Sequence, residues 1–448
     1  MDTVTIGGRH HMKSNIVIHI NEYGPIKDAE IKFYPMLIFT GNSNLGKSYV
    51  NYLFYFLMQA LTGMMFQDMV EKKFDKSKIK DTEISFSLKE NELRRWLVEH
   101  VQPFLASFLG DQSLKCDVSF SLGLEEGLPD GKINVKYHRE YTKGNDELPF
   151  DTIMTMTNIN GETSSYRLYA NGVGQEKQQL AAAISSYVQK KIFGHVVPKS
   201  VVLPPARGSY VGENFSAKEM IASQAGMYRS FLADYDFALH GMGENATGDE
   251  QFFRERVKTL VKGDLITEEN KQYLLLKNGK KLPLTAAASS IKELSPLLFY
   301  LKNWSQFKIS FCIEEPEAHL HPLMQLDVAD LLAACVNKGM FIQLTTHSDY
   351  FLQRINQLIR LGNLKRENEA GYEAFRTQHK LNARFYLESD DVACYYFHVE
   401  DGHVAIDQLE NDENGLPLAT FFDVVRRLTT FDDELAVALN PKDYADDK

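Results

Sequence analysis

Gly41-Asn42-Ser43-Asn44-Leu45-Gly46-Lys47-Ser48 constrains this chain more than any other stretch. It satisfies G-x-x-x-x-G-K-[ST] at every fixed position. Its flanks agree with the motif. Met36 to Thr40 is a short apolar run that predicts a buried strand. After Lys47 the apolar residues fall at Val50, Leu53, Phe54, Leu57, Met58 and Leu61, which is helical spacing. A loop joining a strand to a helix in this way turns backbone N–H groups inward at Gly41 and Gly46, where they can surround phosphate oxygens. The helix start at Ser48 adds partial positive charge. Gly41, Asn42, Asn44, Gly46, Lys47, Ser48 and Tyr49 are therefore the candidate nucleotide contacts. Lys47 would reach the β- and γ-phosphates, and the Ser48 hydroxyl would ligate magnesium, so ATP and Mg2+ are the expected cofactors. A glycine-rich turn with a chance Lys-Ser leaves the flanking pattern unexplained.

A second constellation lies far downstream. Ile309-Ser310-Phe311-Cys312-Ile313 is an apolar strand closed by two carboxylates, Glu314 and Glu315. This is the pattern of a Walker B strand, with Glu314 where Asp is usual. Glu314 would contact hydrated magnesium and Glu315 would polarise the attacking water. Pro316-Glu317-Ala318-His319-Leu320-His321-Pro322 follows, then a helix carrying Leu323, Leu326, Leu331 and Leu332. Pro322 suits its first turn and Gly339 its stop. Phe341-Ile342-Gln343-Leu344 is a further apolar strand, ending at Thr345-Thr346-His347-Ser348. A histidine at that strand tip is a candidate γ-phosphate sensor, against the plainer reading of a structural histidine.

Between these blocks the signals change character. Asn15 to Ile20 and Ala29 to Phe33 alternate around the turn Tyr23-Gly24-Pro25-Ile26, predicting an antiparallel pair that feeds the loop strand. Lys72, Lys73, Lys76, Lys78 and Lys80 read either as a solvated face or as a phosphate-contacting patch. Residues 87–110 carry helical stretches. From Cys116 to Leu168 short strands and turns prevail, including 152–157 and 165–169, followed by a helix over 174–193. Val201-Val202-Leu203 is a buried strand candidate, with Arg207 just past its end. Residues 214–240 are mostly helical, and 250–261 form another helix. Asn278-Gly279 between two apolar runs predicts a hairpin. Strands are expected near Ala383–Leu387 and Ala393–Val399, and a helix around Phe421–Leu428. The division that follows is a discontinuous head, 15–65 with 280–430 and a core strand near 200–207, interrupted by an inserted β/helical lobe and arm over 66–279.

Composition narrows the classes. At 448 residues the chain can bury a large core, and 44% apolar with 24% charged residues is ordinary globular usage. A net charge of −11 argues against a basic nucleic-acid coat, although a local basic patch is compatible with it. The four cysteines are scattered with no C-x-x-C, so they are expected reduced and buried, in a cytoplasmic protein. Residues 1–14 lack an apolar core and predict no signal peptide. No run of about 18 apolar residues predicts a membrane span. His10-His11 reads as part of a mobile tail, or as a weak metal site.

With Glu-Glu-Pro-Glu-Ala-His-Leu-His-Pro at 314–322 and Thr-Thr-His-Ser at 345–348, the chain resembles the ABC-type ATPases of the OLD-like group, and more distantly the SMC and DNA-break-repair ATPases. The resemblance covers about 15–65 and 280–430. It implies an α/β fold, a P-loop ABC-type head with a mixed and parallel sheet, an antiparallel β flank on the adenine side, and a helical insertion. It also implies a head-to-tail homodimer that sandwiches ATP between P-loop and signature motif, with Lys47, Ser48, Glu314, Glu315 and His347 in the roles above. The signature candidate is Ala287 to Leu294. There Ser289 and Ser290 at a helix start would bind phosphate in trans, and Ile291 stands where the family has Gly and would limit close backbone approach. A simple N-capped helix is the other reading of this segment. Arg207 resembles a Pro-x-x-Arg motif of these ATPases, and a salt bridge is its plainer role. No Toprim nuclease is expected, because Glu388, Asp390 and Asp391 are followed by no Asp-x-Asp. Stand-alone ATPases of this resemblance sit beside a separate effector such as a nuclease in bacterial anti-phage defence. A DNA-binding repair clamp, a transporter subunit and a nucleotide-binding scaffold with little turnover are the rival readings.

Overall fold

The computed structural model describes residues 16–73, 83–123, 132–143, 150–157, 163–169, 176–211, 226–240, 248–269, 271–411, 415–417 and 419–439. In chain order its strands are β1 (Val17–Tyr23), β2 (Ile26–Lys32), β3 (Met36–Gly41), β4 (Glu83–Lys89), β5 (Cys116–Ser121), β6 (Lys132–Lys143), β7 (Phe150–Thr157), β8 (Thr163–Tyr169), β9 (Ser200–Leu203), β10 (Gly263–Glu268), β11 (Lys271–Leu276), β12 (Lys281–Pro283), β13 (Ser310–Glu314), β14 (Phe341–Thr345), β15 (Val392–Glu400) and β16 (His403–Leu409). Its α-helices are α1 (Lys47–Thr62), α2 (Met64–Lys72), α3 (Glu90–Leu109), α4 (Glu176–Phe193), α5 (Gly226–Leu239), α6 (Asp249–Val261), α7 (Ser289–Trp304), α8 (Pro322–Asn337), α9 (Asp349–Glu367), α10 (Glu369–Gln378) and α11 (Ala419–Leu439).

One nine-stranded sheet organises the molecule, in the order β5-β1-β2-β16-β15-β3-β14-β13-β9. The half from β15 to β9 is parallel. Its strands β9, β13 and β14 are buried at every position, which is why they read as unbroken apolar runs. The other end is antiparallel. There β1 pairs with β2 and with β5, and β2 alternates buried and exposed residues as a half-solvated strand should. This is the mixed α/β sheet with an antiparallel flank that the sequence predicts. Helix α1 runs from the P-loop with Val50 and residues 52 to 58 all buried, so the apolar positions at helical spacing mark its core contact.

Two smaller sheets complete the fold. The hairpin at Asn278-Gly279 joins β11 to β12, with Gly279 at φ 82° and the Asn278 carboxamide accepting from the Lys280 N–H. β4, β6, β7 and β8 form a four-stranded antiparallel sheet. β5, from the stretch between α3 and β6, lies on the edge of the nine-stranded sheet.

One expectation needs correction, and the strands β4, β10 and β16 were unforeseen. Residues 383–387 are not a strand. Phe385, Tyr386 and Leu387 are buried in an irregular segment whose Leu387 N–H donates to the Leu358 carbonyl of α9, so apolar content there reflects packing on a helix. β16 was not expected. Its hairpin turns at Asp401-Gly402, both at positive φ, a turn signal passed over in the sequence. β10 likewise went unpredicted, and it pairs antiparallel with β11. Lys76, Lys78, Lys80, His10 and His11 lie outside the described residues, as does most of the arm expected before α5. Cys312, Cys335 and Cys394 are buried and free as expected; Cys116 is also free but only partly buried. Among the described residues no helix is long and apolar enough to cross a membrane.

Candidate nucleotide site

Strand β3 ends at Gly41, where the chain passes against β15. A Cβ at Gly41 would lie 2.2 Å from the Phe397 carbonyl oxygen, and its φ is 122°, so only glycine fits. Asn44 at φ 63° and Gly46 at φ 86° complete the left-handed turns that curl the loop over the start of α1. Lys47 is buried and folds back on its own loop, donating to the carbonyls of Asn42 at 2.6 Å and Gly41 at 3.2 Å. Burial lowers the pKa of its ammonium, while Glu314 and Glu315 act in the opposite sense.

Glu314 closes β13 directly opposite Thr345 of the parallel neighbour β14. Its carboxylate accepts from Ser48 Oγ at 2.7 Å, Asn51 Nδ2 at 2.8 Å and Thr345 Oγ1 at 2.8 Å. Burial still raises its pKa above the ordinary carboxylate range, although those three donors pull the other way. The next residue, Glu315, leaves the strand at φ 45°, a conformation that carries backbone strain in a non-glycine residue. Its N–H donates to the Thr345 carbonyl at 3.2 Å. That sharp turn separates the two carboxylates: one faces α1, the other faces the cleft.

The cleft is about 480 Å³ and is lined by Pro25, Ser43 to Tyr49, Glu315, Thr345 and His347. His347 is exposed at its mouth. Partial desolvation and then the Lys47 ammonium lower its pKa, against a smaller upward pull from Glu315. The turn carrying His347 is fixed from below by Glu317, whose Oε1 accepts from Thr346 Oγ1 and from the His347 N–H, both at 2.8 Å. The Thr346 N–H bonds the Phe39 carbonyl at 3.0 Å, tying the same turn to the P-loop strand. His321, also in the Glu-Pro-Glu-Ala-His-Leu-His segment, caps α8 by accepting from the Leu323 N–H, with Pro322 in the first turn.

The structure therefore brings Asn44, Gly46, Lys47, Ser48, Tyr49, Glu315 and His347 to one cleft. Gly41 and Asn42 support it through the Lys47 ammonium, and Glu314 through Ser48. It does not bring Ser289 and Ser290 there. They start α7 outside this cleft, with Ala288 at the cap and no side-chain capping bond. Ile291 packs into the core, its side chain turned inward. Three residues of the site were missed in the sequence. Asn51 lies one helical turn after Ser48, a polar residue followed by an apolar and aromatic run from Tyr52 to Met58, which was the available signal. Thr345 and Glu317 were passed over inside quoted motifs.

Arg207 takes the plainer role weighed for it, but as a link. It is fully buried, and donates from Nε to the Glu293 carbonyl at 2.9 Å and from its terminal nitrogen to the Glu314 carbonyl at 2.7 Å. The Glu293 carboxylate lies 3.5 Å from that guanidinium and accepts from the Gly208 N–H at 2.9 Å. One side chain thus joins the end of β9, the first turns of α7 and the tip of β13.

The oxygen donors beside the P-loop, a serine hydroxyl and a carboxylate, are of the class that binds Mg2+. The glycine loop with its buried Lys47 fits a triphosphate. In comparison with known proteins, the sequence family described as AAA ATPase domain matches residues 217–352, a segment holding Glu314, Glu315 and His347 but not the P-loop. No curated protein matches the chain by sequence. Among solved structures, an SMC head bound to the C-terminal winged-helix domain of ScpA is 11% identical, covering 89% of this chain and 98% of that one at a TM-score of 0.37. The SMC head domain from Thermotoga maritima is 10% identical, with coverages of 88% and 98% and a TM-score of 0.31. An SMC head with an extended coiled coil, bound to the C-terminal domain of ScpA, from Pyrococcus furiosus, is 11% identical, with coverages of 93% and 99% and a TM-score of 0.37.

Proposed function

We propose that this chain is an ABC-type ATPase of the OLD-like group, whose ATP-driven dimerisation regulates a separate effector protein in bacterial anti-phage defence, in the cytoplasm. The observation that carries the reading is the meeting of Lys47, Ser48, Glu315 and His347 around one cleft, from segments that are far apart in sequence. In this reading the P-loop N–H groups and Lys47 bind the β- and γ-phosphates of ATP. Ser48 and Glu314 hold Mg2+, which supplies charge neutralisation on the phosphate oxygens when bound. Glu315 accepts the proton of the attacking water, and the strained turn at its backbone aims the carboxylate at the cleft. His347 donates a ring N–H to the γ-phosphate from the mouth of the cleft.

The site is half of a sandwich. Ser289 and Ser290 open a helix outside their own cleft, and their hydroxyls and helix N-terminus meet the γ-phosphate held by a second copy. Ile291 packs inward rather than standing at that surface, which leaves the approach of the second copy open. The effector, such as a nuclease, is a different protein and receives the change between open and closed heads. Nucleic acid is a further candidate partner of that assembly.

The decisive experiment is steady-state phosphate release from ATP and Mg2+ by the purified chain beside Lys47→Ala and Glu315→Gln. Turnover lost in both variants, with ATP still bound by Glu315→Gln, supports the reading. A wild-type chain that neither binds nor hydrolyses ATP, alone or with co-purified partners, ends it.

A further inference from the structure

Helix α11 is exposed along its length from residue 426 to 439, with only Ala436 partly covered. Besides Val437, 43% exposed on the opposite side, four large apolar residues stand out on it: Leu428 is 62% exposed, Phe431 64%, Leu435 46% and Leu439 70%. Their spacings of three, four and four residues place them within about 80° of arc on a helix of ~3.6 residues per turn. That is a seam of coiled-coil type, with Leu428 and Leu435 at one core position and Phe431 at the other. An apolar seam of this kind left in water is a docking surface.

The charges on the same helix indicate what covers it. Arg426 and Arg427 lie in its first half, and Asp432, Asp433 and Glu434 in its second. A parallel pair of such helices would set acid beside acid and base beside base. An antiparallel pair sets each basic block beside an acidic one, and opposes the helix dipoles favourably. When Leu428 packs against the partner's Phe431 in the antiparallel register, Arg427 faces the partner's Glu434, because both flank the seam on the same side. Two-fold symmetry makes each contact twice. We propose that α11 is a self-association element that pairs two copies of this chain, antiparallel, through a contact that needs no nucleotide.

Light scattering on the apyrase-treated full chain tests this. The expected mass is at least twice the 51.1 kDa of one chain. It should fall to one chain in the Leu428→Glu/Phe431→Glu variant, whose circular dichroism stays that of the wild type because both residues are exposed. Arg427→Glu and Glu434→Arg should each weaken association about tenfold or more, and together restore it. A single-chain mass for the nucleotide-free wild type at micromolar concentration overturns the proposal. So does association untouched by the seam substitutions, or a charge swap that fails to restore it. Failure of ATP turnover would leave all three results unaffected, since no nucleotide is present.

Discussion

Ser48 and Glu314, 266 positions apart, are joined by a 2.7 Å hydrogen bond from the serine hydroxyl to a buried carboxylate oxygen. The bond ties the first turn of α1 to the tip of β13. It also fixes the carboxylate where the P-loop ends, so the geometry of each half depends on the other.

That carboxylate should govern part of the pH dependence of stability. Burial raises the pKa of Glu314 in the folded chain above its unfolded value. The protonated form is therefore favoured by folding, and the contribution of this group to stability falls as pH rises from the ordinary carboxylate range through the raised pKa. Glu314→Gln should flatten this slope and raise the melting temperature of the nucleotide-free protein at neutral pH. Melting curves over pH 4 to 8 check it; identical slopes in variant and wild type would refute the assignment.

Lys47→Ala removes the one ammonium held inside the loop. The lost charge-assisted contacts to phosphate are worth about 1.5–3 kcal/mol, or roughly 10- to 150-fold in ATP affinity. Titration with a fluorescent ATP analogue measures it, and an unchanged affinity would place the triphosphate elsewhere.

Glu315→Gln keeps the size and the backbone turn but cannot take a proton. Phosphate release should drop by about 10²–10⁴-fold, with ATP retained and the heads held closed on it. Normal turnover in this variant would show that Glu315 is not the base.

Arg207→Met leaves the Glu293 carboxylate buried without its cation. Breaking one side of a buried pair costs about 3–5 kcal/mol, and Arg207→Lys should recover little of it because a lysine cannot reach the Glu293 and Glu314 carbonyls in the same forked geometry. Chemical denaturation decides this. A change below about 1 kcal/mol would mean that the link is dispensable.

The parallel half of the sheet was legible because β3, β13 and β14 are buried on both faces and so read as apolar runs ending in functional residues. The P-loop residues, Glu315 and His347 were legible for the same reason: each sits at such a strand end. What was not legible depends on distance in sequence. Thr345 belongs to the site because β13 settles beside β14 in a register that sets Glu314 against it, and Asn51 because α1 packs against the end of β13. The partner of Arg207 lies 86 positions away on another element. The irregular segment at 385–387 has the apolar content of a strand without a neighbouring strand to bond, and composition does not reveal that.

The insertion of β15 and β16 between β2 and β3 has a consequence for biogenesis. The strand that leads into the glycine loop is translated about 300 residues before its two flanking strands, residues 341–345 and 392–400. Until those are translated, an apolar ribbon lies open on both edges and is a target for chaperones or misassembly. The cleft beside β3 is therefore not enclosed on both sides until the chain has been made through residue 400.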